Sequence, residues 1–253
     1  MNQQQHSPTS QQNKVRYLLL DTLRGFTMLN MLLYHFLWDL VYIARIPIPW
    51  YHGTGAYIWQ QSICQTFIIL SGFCWSFGKR PLKRGLIVFW AGGLITLVTM
   101  LLMPENLVLF GVLTLIGSCM ILMIPLDCVL RRVNKSAALI LLTIVTIILF
   151  ILLHPAGNGY PQLTSGNLFT AYLGFPTKDF YSTDYFPLLP WFFLFIAGYL
   201  LHKLSVRYGW LAAPFLKKDF LPPLSFIGRH SLLIYMLHQP MLYGITMLII
   251  QFK

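Results

Sequence analysis

Residues 16–40 read RYLLLDTLRGFTMLNMLLYHFLWDL, a stretch long and apolar enough to cross a bilayer. It nevertheless carries four charged or ionisable side chains, those of Asp21, Arg24, His35 and Asp39. At roughly 100° per residue these four positions fall within an arc of about 60° on one helix face. Charged groups at membrane depth are costly and usually face a bundle interior, so the stretch predicts a helix with a polar seam turned toward its neighbours.

The composition is typical of an integral membrane protein. Of the 253 residues, 57% are hydrophobic and only 10% are charged, whereas soluble domains carry about 25% charged residues. The formal net charge is +11. In a membrane protein this excess first reflects topology rather than nucleic-acid binding, because Lys and Arg collect in cytoplasmic loops. We therefore expect the lipid bilayer as a partner and no nucleic acid.

Several windows of about twenty predominantly apolar residues are long enough to span a membrane. They predict an all-α, polytopic membrane helix bundle with about seven transmembrane helices. Residues 1–15 are expected to form a disordered polar tail, and residues 16–253 a single transmembrane domain. The seven windows lie near 17–41, 56–78, 85–103, 107–127, 136–153, 187–206 and 229–251.

The charges of the connecting loops alternate along the chain. Fourteen of the eighteen Lys and Arg residues fall on one side of the predicted spans and three on the other, with Arg24 inside. By the positive-inside rule this predicts a cytoplasmic N-terminus and an extracytoplasmic C-terminus, in a multi-pass protein of the plasma membrane. Topology and anionic lipid explain the basic clusters at 79–84 and 131–135, although a phosphate-rich cytosolic cofactor would use the same charges.

Two connections between the predicted spans differ in character. The sequence Pro104-Glu105-Asn106 predicts a tight hairpin between the third and fourth spans. Residues 154–186 form an outer loop that is longer than most compact folds need. The apolar stretch Leu168–Phe175 within it favours a re-entrant or surface-lying lid.

The first helix supplies the main candidates for catalysis. His35 is a candidate general base, and Asp39, one turn later, could fix the tautomer of its imidazole by a hydrogen bond. The buried Arg24 could hold a phosphate or polarise a carbonyl group. Two structural alternatives stay open, namely a His35 that bonds a neighbouring helix and an Arg24 that pairs with Asp21 for packing.

Three further side chains are candidates for the site. His52 lies in the first outer loop, His238 lies near the middle of the last helix, and Asp184 precedes the sixth helix, which it would cap unless it binds an acceptor. Buried His, Arg and Asp residues could also form a relay in a transporter or channel. His35 and His238 could alternatively be axial haem ligands in a four-helix core. The four cysteines show no metal-binding spacing, so we expect no metal.

The membrane part also resembles a known family through several ordered motifs. These are LDTLRGFTMLNMLLYHFLWDL (20–40), TFIILSGF (66–73), FGVLTLIG (110–117), DYFPLLPW (184–191) and GRHSLLIYMLHQP (228–240). Together they resemble the bacterial branch of the heparan-α-glucosaminide N-acetyltransferase catalytic-domain family. The first motif is also similar to the opening helix of membrane acyltransferase-3 proteins, in which an Arg, ten residues and a His form the signature; Arg24 and His35 stand at that spacing.

The resemblance implies a transmembrane acyltransferase that takes an acetyl group from cytoplasmic acetyl-CoA and passes it to an extracytoplasmic sugar or glycan. It implies His35 as base and Arg24 in the donor channel, whereas the animal enzymes carry their catalytic His in the following outer loop, where this chain has His52. A homodimer is compatible with such a protein. The remaining expected roles are Asp39 as orienter of His35, Arg80, Arg84 and Arg229 as ligands of CoA, and Asp184 and His238 as ligands of the acceptor.

Overall fold

The computed structural model describes residues 16–155 and 159–252, and within these residues it contains nine α-helices and no β-strand. The all-α prediction is therefore confirmed for this part of the chain, while the predicted tail at 1–15 lies outside it. The helices are α1 (Leu18–Tyr42), α2 (Thr54–Trp75), α3 (Pro81–Leu102), α4 (Val112–Leu130), α5 (Ser136–Leu153), α6 (Leu168–Leu173), α7 (Leu188–Arg207), α8 (Pro222–Arg229) and α9 (Ser231–Gln251).

Five of these helices, α3, α4, α5, α7 and α9, are long and apolar enough to cross a membrane. The chain is therefore a multi-pass membrane protein. With 25 and 22 residues, α1 and α2 are equally long, and they coincide with the first two predicted spans. Both are more polar than the other five, so the count of seven spans and the orientation of the termini stay predictions.

The helices differ in how much of their apolar surface the protein itself covers. Most of α4 and α7 is buried, and together they supply the centre of the core, with Trp191, Phe195 and Met123 almost inaccessible. In contrast, α3, α5 and α9 expose most of their apolar side chains. Because exposed apolar surface on this scale is unfavourable in water, these faces are suited to lipid.

Two helix crossings depend on glycine. A Cβ atom on Gly25 of α1 would lie 1.9 Å from the carbonyl oxygen of Leu224 in α8, and one on Gly72 of α2 would lie 2.1 Å from the carbonyl oxygen of Phe195 in α7. Small residues let helix backbones approach closely in membrane bundles. These crossings fix α1 against α8 and α2 against α7, and they thereby set the position of the polar seam.

α3 and α4 form the hairpin that the sequence predicts around Pro104–Asn106, but α4 begins only at Val112, so the connection is longer than the predicted tight turn. After a 3₁₀ turn at Pro104–Asn106, the chain runs back along α3, where the Val108 amide donates to Thr99 Oγ1 at 3.1 Å. A Cβ on Gly92, in the middle of α3, would lie 2.6 Å from the amide nitrogen of Thr114. The first turn of α4 is buried inside the bundle. Residues 107–110 lead into it and are held by hydrogen bonds to α3 and to the loop before α7.

The described part of the long loop, from residue 159 onward, packs over the same end of the bundle. Asn167 begins α6 with a capping box, and α6 falls within the predicted lid stretch Leu168–Phe175. The Thr183 amide donates to the Leu107 carbonyl at 3.0 Å, which ties this loop to the α3–α4 connection. The indole of Trp191 in α7 donates to the Tyr160 hydroxyl at 2.9 Å. Residues 156–158 of the predicted loop lie outside the described residues.

Candidate active site

The polar face of α1 meets α9. The rings of His35 and His238 lie with their centroids 4.9 Å apart. One turn further along, Gln239 Nε2 donates to Asp39 Oδ1 at 3.0 Å. The structure thus brings together His35, Asp39 and His238, which the sequence could place only on two separate helices.

His238 has a defined tautomer. Its Nδ1 bonds the carbonyl oxygen of Tyr235 on the same helix. A carbonyl oxygen can only accept, so Nδ1 of the neutral ring carries the hydrogen and Nε2 keeps its lone pair. Nε2 is buried and has no hydrogen-bond partner. The imidazole therefore presents a free basic nitrogen next to His35.

Asp39 is fully buried, at 0% exposure, but it does not form the predicted hydrogen bond to His35. The amide of Gln239 reaches Oδ1 instead, and Oδ2 has no partner. The amide oxygen of Gln239 is also unpaired. Each unpaired buried polar atom costs about 1–3 kcal/mol. Three such atoms, counting His238 Nε2, lie along one helix interface, and buried polar atoms of this kind can bind water or a ligand.

The same distances are incompatible with the haem alternative. Two axial imidazoles lie on opposite faces of a porphyrin and are separated by the macrocycle and its iron. Rings with centroids 4.9 Å apart are in direct contact, since contacting aromatic rings lie about 4.5–7 Å apart. In the described residues, no cluster of three or more His, Cys, Asp or Glu side chains could hold a metal ion.

Asp184 lies beside the first residue of α4 rather than capping α7, so the expected cap of the sixth predicted span is wrong. The N-cap of α7 is Pro187. Burial raises the pKa of the Asp184 carboxyl to about 6, and the backbone N–H of Val112 and the hydroxyl of Tyr235 offset this only in part. The positive end of the α4 dipole also favours a carboxylate here. Asp184 therefore takes up a proton at a higher pH than an exposed carboxyl does.

A cleft of about 290 Å³ opens among α1, α2, α3, α4 and α9. It brings together Arg24 and Arg84, two of the predicted cofactor ligands, with the hydroxyls of Ser71, Ser231 and Tyr235. Arg24 lies 3.6 Å from Asp21, which is the predicted intrahelical pair. We call this cavity the Arg24–Arg84 cleft.

The other predicted residues lie apart from this cleft. Arg80 is exposed and precedes α3 with a φ of +56°, and Arg229 is exposed at the end of α8. His52 is exposed in the 3₁₀ turn Pro49–His52, where its Nδ1 is 3.4 Å from the Tyr42 hydroxyl. Its ring packs edge-on against those of Tyr42 and Tyr51.

Tyr235 is the residue that the sequence analysis did not assign. Its carbonyl holds His238, its hydroxyl faces Asp184, and its side chain lines the Arg24–Arg84 cleft. It therefore connects the cationic cleft with the histidine pair. The sequence could have indicated Tyr235 through its position three residues before His238, because this spacing places both side chains on one face of α9.

The motif resemblance is supported by a comparison with family models. A model described as heparan-alpha-glucosaminide N-acetyltransferase, catalytic, matches residues 16–240. This range includes α1 to α8 and the first half of α9, and with them every candidate residue above. Neither a curated protein nor a solved structure matches the chain.

Proposed function

Since the chain belongs to the heparan-alpha-glucosaminide N-acetyltransferase catalytic family, we propose that it is a membrane acetyltransferase that uses acetyl-CoA and acetylates an extracytoplasmic sugar or glycan. The observation that carries the proposal is the continuity of the site. A cleft with two arginines is joined through Tyr235 to two histidines in contact. An acetyl transfer needs both parts, a place for the donor and a base for the acceptor.

The Arg24–Arg84 cleft suits the acetyl end of the donor. Its volume of about 290 Å³ lies just below the roughly 300–1,000 Å³ typical of ligand sites, so it suits the acetyl and pantetheine part rather than the whole of CoA. Guanidinium groups donate to carbonyl and phosphate oxygens in fixed directions. Arg24 and Arg84 would polarise the thioester carbonyl and stabilise the oxyanion that forms on it.

The histidine pair would move the protons. As an amine or hydroxyl of the acceptor attacks the thioester carbon, imidazole Nε2 takes its proton. The bond from carbon to nitrogen or oxygen forms, the carbon–sulfur bond breaks, and the CoA thiolate leaves and recovers that proton. His35 is the base that the resemblance to membrane acyltransferase-3 proteins implies, and the fixed tautomer of His238 equips it for the same role. We assign the step to the pair, with Asp39 and Gln239 holding the far end of the seam.

The acceptor would enter from the end of the bundle opposite to the one at which acetyl-CoA binds. Asp184 lies near the end of the loop at 159–187, beside Val112 and Tyr235. A carboxylate in this position can bind an ammonium or hydroxyl group. His52 and Tyr42 lie at the outer end of α1 and would contribute to the rim of that entrance. This arrangement agrees with the predicted cytoplasmic N-terminus, a plasma-membrane location and, if the protein associates, a homodimer.

Purified protein in detergent, supplied with acetyl-CoA carrying a radiolabelled acetyl group, tests the proposal. We expect His35→Ala and His238→Gln each to lower acetyl release or transfer by about 10²–10⁴-fold, the usual contribution of a general base. Neither change should weaken acetyl-CoA binding, because both rings lie outside the Arg24–Arg84 cleft. His52→Ala, at the rim of the acceptor entrance, tests the alternative base and should lower activity far less than either of these changes.

The pattern among these variants decides the assignment. If His35→Ala and His238→Gln turn over normally while His52→Ala is inactive, the base lies in the outer loop and the assignment is wrong. If the wild type moves a solute across proteoliposomes without acetylating it, the protein is a transporter. If all three variants retain a wild-type phenotype, the histidines are structural.

A further inference from the structure

A second cavity, of about 370 Å³, lies where α2, α4 and α7 end and α3 begins. It shares no lining residue with the Arg24–Arg84 cleft. The last turn of α2 separates the two cavities, since Trp75 lines the second cavity while Arg84 of the cleft donates to the Trp75 carbonyl at 3.2 Å. We call the second cavity the Lys203 cavity.

One wall of the Lys203 cavity is the imidazole of His202. The residue is only 9% exposed, and its Nδ1 is buried without a hydrogen-bond partner. The rings of Phe73 and Phe77 pack edge-on against it, with centroids 5.4 and 4.7 Å away. The aromatic contacts thus hold the imidazole in place, while its Nδ1 stays without a hydrogen-bond partner.

The charged groups around this imidazole have an excess of positive charge. Arg131 and Lys203 line the cavity together with a single carboxylate, that of Asp127. Asp127 pairs with Arg131 at 2.6 Å and accepts from the Tyr199 hydroxyl. Arg131 remains 74% exposed, and a guanidinium has five N–H donors, so most of them stay available.

Lys203 also has hydrogen-bond donors that are not used within the protein. Its ammonium donates to the Leu130 carbonyl at 2.5 Å and, more weakly, to the Val133 carbonyl at 3.4 Å, at the C-terminal end of α4. An ammonium group has three donors, so at least one stays free. The remaining walls include the apolar side chains of Trp75 and Val206. The cavity therefore combines unpaired donors, net positive charge and an apolar surface.

We propose that the Lys203 cavity binds a phosphate ester, with Lys203 and Arg131 on the phosphate oxygens, His202 Nδ1 as a further hydrogen-bonding group, and Trp75 against the organic part. Guanidinium and ammonium groups are the usual partners of phosphate. This site is separate from the proposed catalytic groups, and it does not depend on the acetyltransferase activity. The ester has two sources, a soluble nucleotide or the headgroup of an anionic phospholipid.

The test measures binding of two probes to the full-length protein in detergent by isothermal titration calorimetry. One probe is adenosine 3′,5′-bisphosphate and the other is short-chain phosphatidylglycerol, with short-chain phosphatidylcholine as the zwitterionic reference. The variants are Lys203→Gln, which removes the charge and keeps a donor, and His202→Phe, which keeps the ring packing. Lys217→Gln is the matched control, because Lys217 is exposed and does not line the cavity.

We expect one of the two anionic probes to bind and both cavity variants to weaken it by about tenfold or more, with Lys217→Gln unchanged. Preference for the bisphosphate identifies a nucleotide, and preference for phosphatidylglycerol over phosphatidylcholine identifies a lipid; either result supports the site. If neither anionic probe binds the wild type, or if the folded cavity variants bind like the wild type, the proposal is overturned. Because neither probe carries an acetyl group, this result is independent of any failure of acetyl transfer.

Discussion

Asp184→Asn should make the folded protein more stable at neutral pH although it removes a residue of the proposed site. The pKa of the Asp184 carboxyl is raised from 3.8 to about 6 by burial. Since one pKa unit corresponds to about 1.4 kcal/mol, the ionised carboxylate destabilises the folded state by about 3 kcal/mol. Asn has nearly the same shape and can still accept from the Val112 N–H, but it carries no charge.

The pH dependence follows from the direction of this shift. Well below pH 3.8 the carboxyl is neutral in both the folded and the unfolded state, and Asp and Asn should differ little. As the pH rises from about 4 to 6, the unfolded state releases its proton first, so the wild type loses stability relative to the variant. Above pH 6 the carboxyl is charged in both states and the difference stays near 3 kcal/mol.

Thermal unfolding of the detergent-purified proteins by intrinsic tryptophan fluorescence, at several pH values between 4.5 and 8, measures this difference. For a chain of this size, 3 kcal/mol corresponds to a rise in Tm of roughly 6–12 °C. Asp179→Asn, an exposed position in the same loop, is the matched control and should show no such rise. A Tm difference for Asp184→Asn that does not change with pH, or a lower Tm at neutral pH, would refute the reasoning.

Two further predictions concern packing and the connecting tyrosine. Gly25→Ala should lower the Tm or prevent folding, since its Cβ would lie 1.9 Å from the Leu224 carbonyl oxygen and such overpacking costs about 1–3 kcal/mol or more. Gly244→Ala in α9, whose Cβ would meet nothing within 4 Å, should be neutral or stabilising in the same thermal assay. Tyr235→Phe should keep the fold and lower kcat more than it raises KM for acetyl-CoA, because it removes only the hydroxyl between the cleft and Asp184; unchanged kcat in steady-state assays would contradict this.

The sequence was most informative where the information is local. The polar seam of α1 follows from helical periodicity within one stretch, and the structure places Asp21, Arg24 and Asp39 on one interior face. Helix positions were predicted well for the same reason, since a run of about twenty apolar residues forms a helix in lipid regardless of its neighbours. The predicted spans at 136–153 and 187–206, for example, match α5 and α7 to within one residue at each end.

Contacts between segments that are distant in the chain could not be predicted from the hydrophobic pattern of the sequence. Periodicity offered Asp39 as the partner of His35, but the amide of Gln239, 200 residues away in the chain, bonds the carboxylate instead. The return of residues 107–110 into the bundle and the position of Asp184 beside α4 depend on the same kind of pairing. The two cavities are also of this kind, because each is lined by residues from at least four segments.

Direct binding of acetyl-CoA to the purified protein tests the central claim most simply, since it requires no knowledge of the acceptor. Equilibrium binding of tritiated acetyl-CoA should be saturable for the wild type and should weaken about tenfold or more in Arg24→Gln and in Arg84→Gln, because each removes a guanidinium from the cleft. Lys217→Gln should bind like the wild type. Failure of the folded wild-type protein to bind acetyl-CoA at millimolar concentration would contradict an acetyltransferase that uses this donor.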